Sequence, residues 1–230
     1  MIQLYHYPFC PHSRFIRLVC AEIALSPELI EERTWERRPE FLTLNPAATL
    51  PVLVEEAGLV APGAAVIAEY LDEARGLASG DRRLLPESLA ARVEVRRLME
   101  WFNLTFHTEV SEPLMREMVY KRLMSPEQGG GSPDASIIRA ARNNVRYHLR
   151  YVGHLASRRR WLGGDRMSYA DLAAAAHLSC VDYLGDAPWS ESGAAKEWYA
   201  RIKSRPSFRP LLAERVVGKP PPPHYDNLDF

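Results

Sequence analysis

The sequence predicts an α/β unit at the N terminus followed by an all-helical unit. Three observations lead there. The first eighty residues alternate short β-branched and aromatic runs with segments of helical period. After residue 88 the apolar spacing is helical throughout. Between the two lies a polar stretch, residues 75–88 (RGLASGDRRLLPES), with the glycine and proline of a linker.

Each element has a local reason. Residues 2–7 (IQLYHY) have strand composition, and Pro8 ends the strand. Phe15, Ile16, Val19, Ile23 and Ala24 then recur at helical spacing, with Pro11 tolerated at the helix start. Residues 29–35 (LIEERTW) read as a weaker strand. Residues 39–42 read as a short helix stopped by Asn45-Pro46. Residues 50–55 and 59–61 read as strands paired around Ala57-Gly58, and residues 64–74 as a helix. In the second unit, residues 89–125 give one or two long helices carrying Val93, Leu98, Trp101, Phe102 and Phe106. Residues 126–134 (PEQGGGSPD) form a loop, and no Gly-Lys-Ser/Thr follows to make it a phosphate loop. Helices follow at 137–157, 168–184 and 194–204, then a proline-led tail ending HYDNLDF.

Composition narrows the function. The 230 residues carry 29 basic and 29 acidic side chains, so no net charge draws the protein to nucleic acid or an anionic membrane. No apolar run reaches membrane-spanning length, and the first residues read as a strand rather than a signal peptide. Cys10, Cys20 and Cys180 are too few for a disulfide framework. The seven histidines show no paired-ligand spacing, so no metal site is expected. Together these predict a soluble cytoplasmic protein.

Four segments invite a functional reading. Cys10-Pro11-His12-Ser13 places a cysteine at a helix N-terminus, where the helix dipole favours the thiolate, and resembles a one-cysteine thioredoxin or glutaredoxin site. Ser168-Tyr169-Ala170-Asp171 is a capping-box variant with a structural role. Arg139, Arg142, Arg146 and Arg150 share one helix face, read as solvated rather than as a phosphate-binding stripe. Trp35, Arg37 and Arg38 form an aromatic-basic cluster between elements. It suits a protein-contact surface, although the tryptophan is equally able to fold back on the core.

These pieces, in this order, resemble the glutathione S-transferase family over nearly the whole chain. The resemblance rests on residues 5–11 (YHYPFCP), Asn45-Pro46, Leu50-Pro51-Val52-Leu53, Ile67-Ala68-Glu69-Tyr70-Leu71, Ser168 to Asp171, and residues 198–210 (WYARIKSRPSFRP). It implies a thioredoxin-like domain at 1–78, an all-helical domain at 86–218, and a further tail at 219–230. It also implies a cis bond before Pro51 and a homodimer. The family holds glutathione with a residue at the first helix start, with backbone beside the cis-proline, and with a Glu-Ser pair opening the third helix. Cys10, with Ser13 nearby, and Leu50-Pro51 fill the first two places. Gly63 and Ala64 stand where the Glu-Ser pair belongs.

The missing pair removes one hydrogen bond to a charged group and one neutral one, a loss of about 2–4.5 kcal/mol. That is roughly thirty-fold to two-thousand-fold in affinity. No cofactor is therefore expected, and a binding role is favoured over catalysis. The same residues, with the tail, resemble a division-associated member of the family. That likeness implies binding to FtsZ filaments and action at the division site. Trp35, Arg37 and Arg38 are the candidate contact residues, and Asp226, Leu228, Asp229 and Phe230 of the tail a second surface, open to other division proteins. The alternative is a glutathione-dependent thiol transferase using Cys10.

Overall fold

The computed structural model describes residues 1–76, 78 and 80–228. It begins with strand β1 (Gln3–His6), helix α1 (Pro11–Glu22), strand β2 (Glu28–Glu31) and helix α2 (Pro39–Leu44). Strands β3 (Val52–Val54) and β4 (Val60–Pro62) and helix α3 (Ala64–Leu71) complete the first unit. The strands form one mixed sheet in the order β2-β1-β3-β4. Leu4 on β1 aligns with Leu29 on parallel β2 and with Leu53 on antiparallel β3, and Leu53 aligns in turn with Ala61 on β4. Phe15, Ile16, Leu18 and Val19 of α1 are fully buried. Burying such side chains contributes about 1.5–3 kcal/mol each.

The helical unit comprises α4 (Leu89–Glu100), a wide-turn segment (Trp101–Ser111), α5 (Glu112–Met118), α6 (Ala135–Ala156), α7 (Tyr169–Tyr183), α8 (Gly193–Lys203) and the short α9 (Arg209–Ala213). Helix α7 is buried along its whole length and packs against α1, joining the two units. Among the described residues no helix is long and apolar enough to cross a membrane.

Four departures from the sequence reading have physical reasons. Strand β2 stops at Glu31 because the chain enters a tight turn at Thr34–Glu36 and Arg37 adopts the left-handed conformation (φ 48°). The helical run after residue 89 divides because Pro113 has no N–H to donate. The preceding turns widen to π geometry, and two backbone carbonyls along this run meet side-chain donors. Asn144 Nδ2 donates to Glu109 O (3.1 Å), and His12 Nε2 lies 2.9 Å from Asn103 O.

The stretch read as a linker is docked rather than loose. Arg83 pairs with buried Asp72 (Nη2–Oδ2 2.7 Å), and Leu84 and Leu85 are buried. Residues 77 and 79 of that stretch lie outside the described residues.

The tail, read as a proline-led extension with a contact surface of its own, is docked at its root. Tyr225 is fully buried, donating to Leu211 O (3.2 Å) and accepting from Arg14 Nη1 (3.4 Å). Tyr183 donates to Lys219 O (2.8 Å), and Lys203 donates to His224 O (3.1 Å). A buried phenol needs such partners, and the tail supplies one to a buried guanidinium.

Two expectations appear as read. Asp171 accepts from the Ser168 backbone N–H (3.0 Å) and closes a capping box. Its other oxygen accepts from Leu162 N (2.8 Å) and Trp198 Nε1 (2.9 Å), which ties the start of α7 to α8. Along the arginine face, Arg142 pairs with Asp186 (2.7 Å), while Arg146 and Arg150 both pair with Glu191 (2.5 and 2.9 Å). Those charges are met within the chain.

Candidate functional site

A cleft of about 470 Å³ opens where the sheet unit meets the wide-turn segment and α5. Its floor is the turn from β1 into α1. The Cys10 N–H donates to Tyr7 O (3.0 Å), Arg14 N–H donates to Cys10 O (2.9 Å), and Pro11 opens the helix, so Cys10 is the N-cap. The Tyr7 N–H donates to Ser13 Oγ (3.3 Å), which occupies that hydroxyl inside the turn. The second wall enters through a cis Leu50–Pro51 bond. Pro51 O accepts from the Gly63 N–H (2.9 Å), placing the start of α3 beside it. Thus Cys10, Leu50, Gly63 and Ala64 all line one cleft. The positions that the resemblance assigns to glutathione are thus brought together, and Gly63 and Ala64 offer no carboxylate or hydroxyl there.

Gly63 has φ 94°, and a Cβ built there would touch nothing within 4 Å. Space for a side chain exists, while the backbone conformation is one that favours glycine. Two carboxylates do stand on the cleft wall, Glu32 and Glu112. The buried Glu32 is already engaged by Arg38, through Nη2 (2.5 Å) and Nε (3.1 Å) to Oε2.

The contact cluster read from the sequence divides accordingly. Trp35 is half-buried on the cleft wall, with its ring 5.2 Å from Tyr7 and 5.5 Å from Tyr120. Tyr120 in turn donates to Phe9 O (2.9 Å). Trp35 is a packed aromatic and not a free one. Arg37 is exposed, and Arg38 is exposed while holding Glu32. In the tail, Asp226 is exposed and pairs with Arg215 (2.7 Å), and Leu228 is partly exposed. Asp229 and Phe230 lie outside the described residues.

Three histidines at and beneath the cleft escape any reading of residue spacing. His12 from α1, His107 from the wide-turn segment and His177 from α7 bring ligand nitrogens within 4.8 Å of one another. The His12 and His107 rings are 4.3 Å apart, and His177 lies 5.2 Å from His12. His177 Nδ1 contacts Ser111 Oγ (2.9 Å), and its Nε2 is 3.3 Å from Asn103 Oδ1. His107 Nδ1 and Asn103 Nδ2 are buried without a hydrogen-bond partner among the described residues. Gaps of 95 and 70 residues separate the three positions, so no spacing rule could find them.

Electrostatics in the cleft follow from burial and neighbours. Burial and the charge of His12 push His107 down to about 3, and burial with the same neighbours holds His177 well below the usual imidazole range. At Cys10 burial opposes the thiolate. Hydrogen bonds from His12 and Ser13, together with the charge of His12, outweigh it and lower the thiol. His12 is itself raised: burial works against its charge, but Cys10 and the Asn103 carbonyl favour it. Burial, with the nearby Glu31, pushes Tyr7 up to about 12, so it stays a neutral phenol.

The fold, the cis-proline wall and the helix-capping cysteine together define a transferase-like body. Residues 4–79 match the glutathione S-transferase N-terminal domain and residues 113–206 match its C-terminal domain. The chain belongs to the glutathione S-transferase family.

Within it, the chain is 44% identical over 230 residues to FtsZ-localized protein A of Caulobacter vibrioides, covering 99% of this chain and 97% of that protein. The solved structure of FzlA from C. crescentus superposes with a TM-score of 0.91 over 100% of this chain and 99% of that one. A glutathione S-transferase from Sinorhizobium meliloti 1021 superposes with a TM-score of 0.98 at 54% identity, over the full length of both chains.

Proposed function

We propose that this chain is an interaction protein built on a glutathione S-transferase body, which binds FtsZ filaments and regulates bacterial cell division. The observation that carries the reading is the 44% identity, over essentially the full length of both proteins, to one named for its localization with FtsZ. The bare Gly63-Ala64 opening of α3 supports it, because the family's usual ligand loses its charged anchor there. The protein acts as a homodimer in the cytoplasm at the division site. A dimer presents each filament contact twice and bridges neighbouring filaments through avidity. Exposed Arg37, with Arg38 and the rim residue Trp35, forms one contact surface; Asp226 and Leu228, continuing to Asp229 and Phe230, form another.

Co-sedimentation with GTP-assembled FtsZ tests this. The purified chain is expected in the pellet only when filaments form, and Arg37→Glu is expected to reduce the pelleted fraction. A chain that stays in the supernatant at micromolar filament concentration overturns the reading.

Cys10 favours a second reading. A cysteine capping α1 and lining the cleft is placed to attack a glutathionylated protein. Its thiolate would form a mixed disulfide with the glutathione sulfur and release the protein thiolate; a second glutathione thiolate would then free Cys10 as glutathione disulfide leaves. Retention on immobilised glutathione, with deglutathionylation lost in Cys10→Ala, is the result that would establish it.

A further inference from the structure

The geometry points to a transition-metal site in the cleft, formed by His12, His107 and His177, that takes a divalent first-row cation with zinc as the best fit.

Three imidazoles from three separate elements converge with their ligand nitrogens within 4.8 Å of one another. Zinc–nitrogen bonds of about 2.0–2.1 Å in a tetrahedral shell put neighbouring nitrogens about 3.4 Å apart. The rings therefore need to close by at most about 1.4 Å, within reach of side-chain rotation. The donor set suits a borderline cation rather than calcium or magnesium, which take oxygen. Three protein nitrogens with one position left over is the pattern of an open zinc site.

The surroundings are those of a ligand shell. The Asn103 carbonyl only accepts, so His12 carries a proton on Nε2, and a cation at Nδ1 would take the place of the proton that His12 shares with Cys10. Ser111 Oγ holds Nδ1 of His177, leaving only the looser 3.3 Å contact on Nε2. Such outer partners orient the rings of metal-binding histidines. Two polar atoms at this place, His107 Nδ1 and Asn103 Nδ2, are buried with no partner among the described residues. A buried orphan costs about 1–3 kcal/mol, and a bound cation would use the first of them. His12 and His107 both line the cleft, so a cation held here is reachable by whatever enters it.

The test uses the full-length protein, stripped with a chelator and titrated with Co²⁺ followed by visible absorption, and with Zn²⁺ followed by calorimetry. One cation per chain is expected, with the intense visible bands of tetrahedral cobalt bleached by added zinc. His107→Gln is expected to weaken zinc by about ten-fold or more, with circular dichroism and melting showing an intact fold. His12→Gln, a second variant on the cleft wall, should do the same. Failure of the wild-type chain to bind either metal at micromolar concentration overturns the proposal. So does undiminished one-to-one binding in both folded variants, which would place the cation elsewhere.

Discussion

Restoring the missing glutathione grip is the sharpest probe of how this cleft differs from a transferase. Ala64 is the first residue of α3, lines the cleft, and has ordinary helical backbone. Ala64→Ser adds one hydroxyl there without strain. A neutral hydrogen bond contributes about 0.5–1.5 kcal/mol, so glutathione should tighten about two-fold to thirteen-fold. Gly63→Glu adds a carboxylate able to meet the ligand ammonium, at about 1.5–3 kcal/mol. Nothing within 4 Å obstructs its Cβ, but φ at 94° with ψ at 141° is glycine's territory, and a side chain there costs about 1–3 kcal/mol. The double variant therefore gains less than its two new bonds, about 2–4.5 kcal/mol, would give without strain. Calorimetric titration with glutathione in the millimolar range reads all four proteins. Micromolar binding by the unmodified chain, unchanged by Ala64→Ser, would refute the reasoning, because another group would then be serving the ligand's amino end.

Other expectations follow from the packing and the charges. Trp35→Ala should lower stability by about 1–3 kcal/mol, read as a drop in melting temperature, because the ring packs on Tyr7 and Tyr120. Tyr225→Phe should cost about 1–2 kcal/mol in denaturant unfolding, by removing the hydroxyl that serves Leu211 O and Arg14. His6 is held down to about 4 by burial and by the charge of Arg17, so the native state refuses a proton that the unfolded chain accepts. Stability should therefore fall as pH drops from about 6.5 to about 4, by up to about 3 kcal/mol, and His6→Leu should flatten that slope in urea titrations across pH.

The fold was largely legible because its signals are local. The Pro8 stop, the Asn45-Pro46 break, the Ala57-Gly58 turn and the Ser168–Asp171 box each act within a few residues, and the elements they bound begin or end beside them. That Cys10, Leu50, Gly63 and Ala64 share one cleft was legible too, since they sit in motifs of fixed order. What escaped was long-range. In the wide-turn segment the Asn103 carbonyl meets His12, 91 residues away. The histidine cluster exists only through this tertiary crossing. The docking of Tyr225 escaped too, because nothing near it in sequence shows the buried Arg14 it serves. The Trp35 cluster was half legible: residue type marked it as notable, but whether the ring faced outward was decided by Tyr120.

Arg14 has no exposed surface, and its guanidinium is met by Pro8 O, Ser179, Glu214 and Tyr225. Three of those four partners come from the last quarter of the chain. During synthesis, then, a cation fourteen residues from the start waits for groups that leave the ribosome last. A chain that ends before Tyr225 keeps Pro8 O, Ser179 and Glu214 around that buried guanidinium but lacks the phenol, so the interior of the N-terminal unit is completed only when the tail folds back on it.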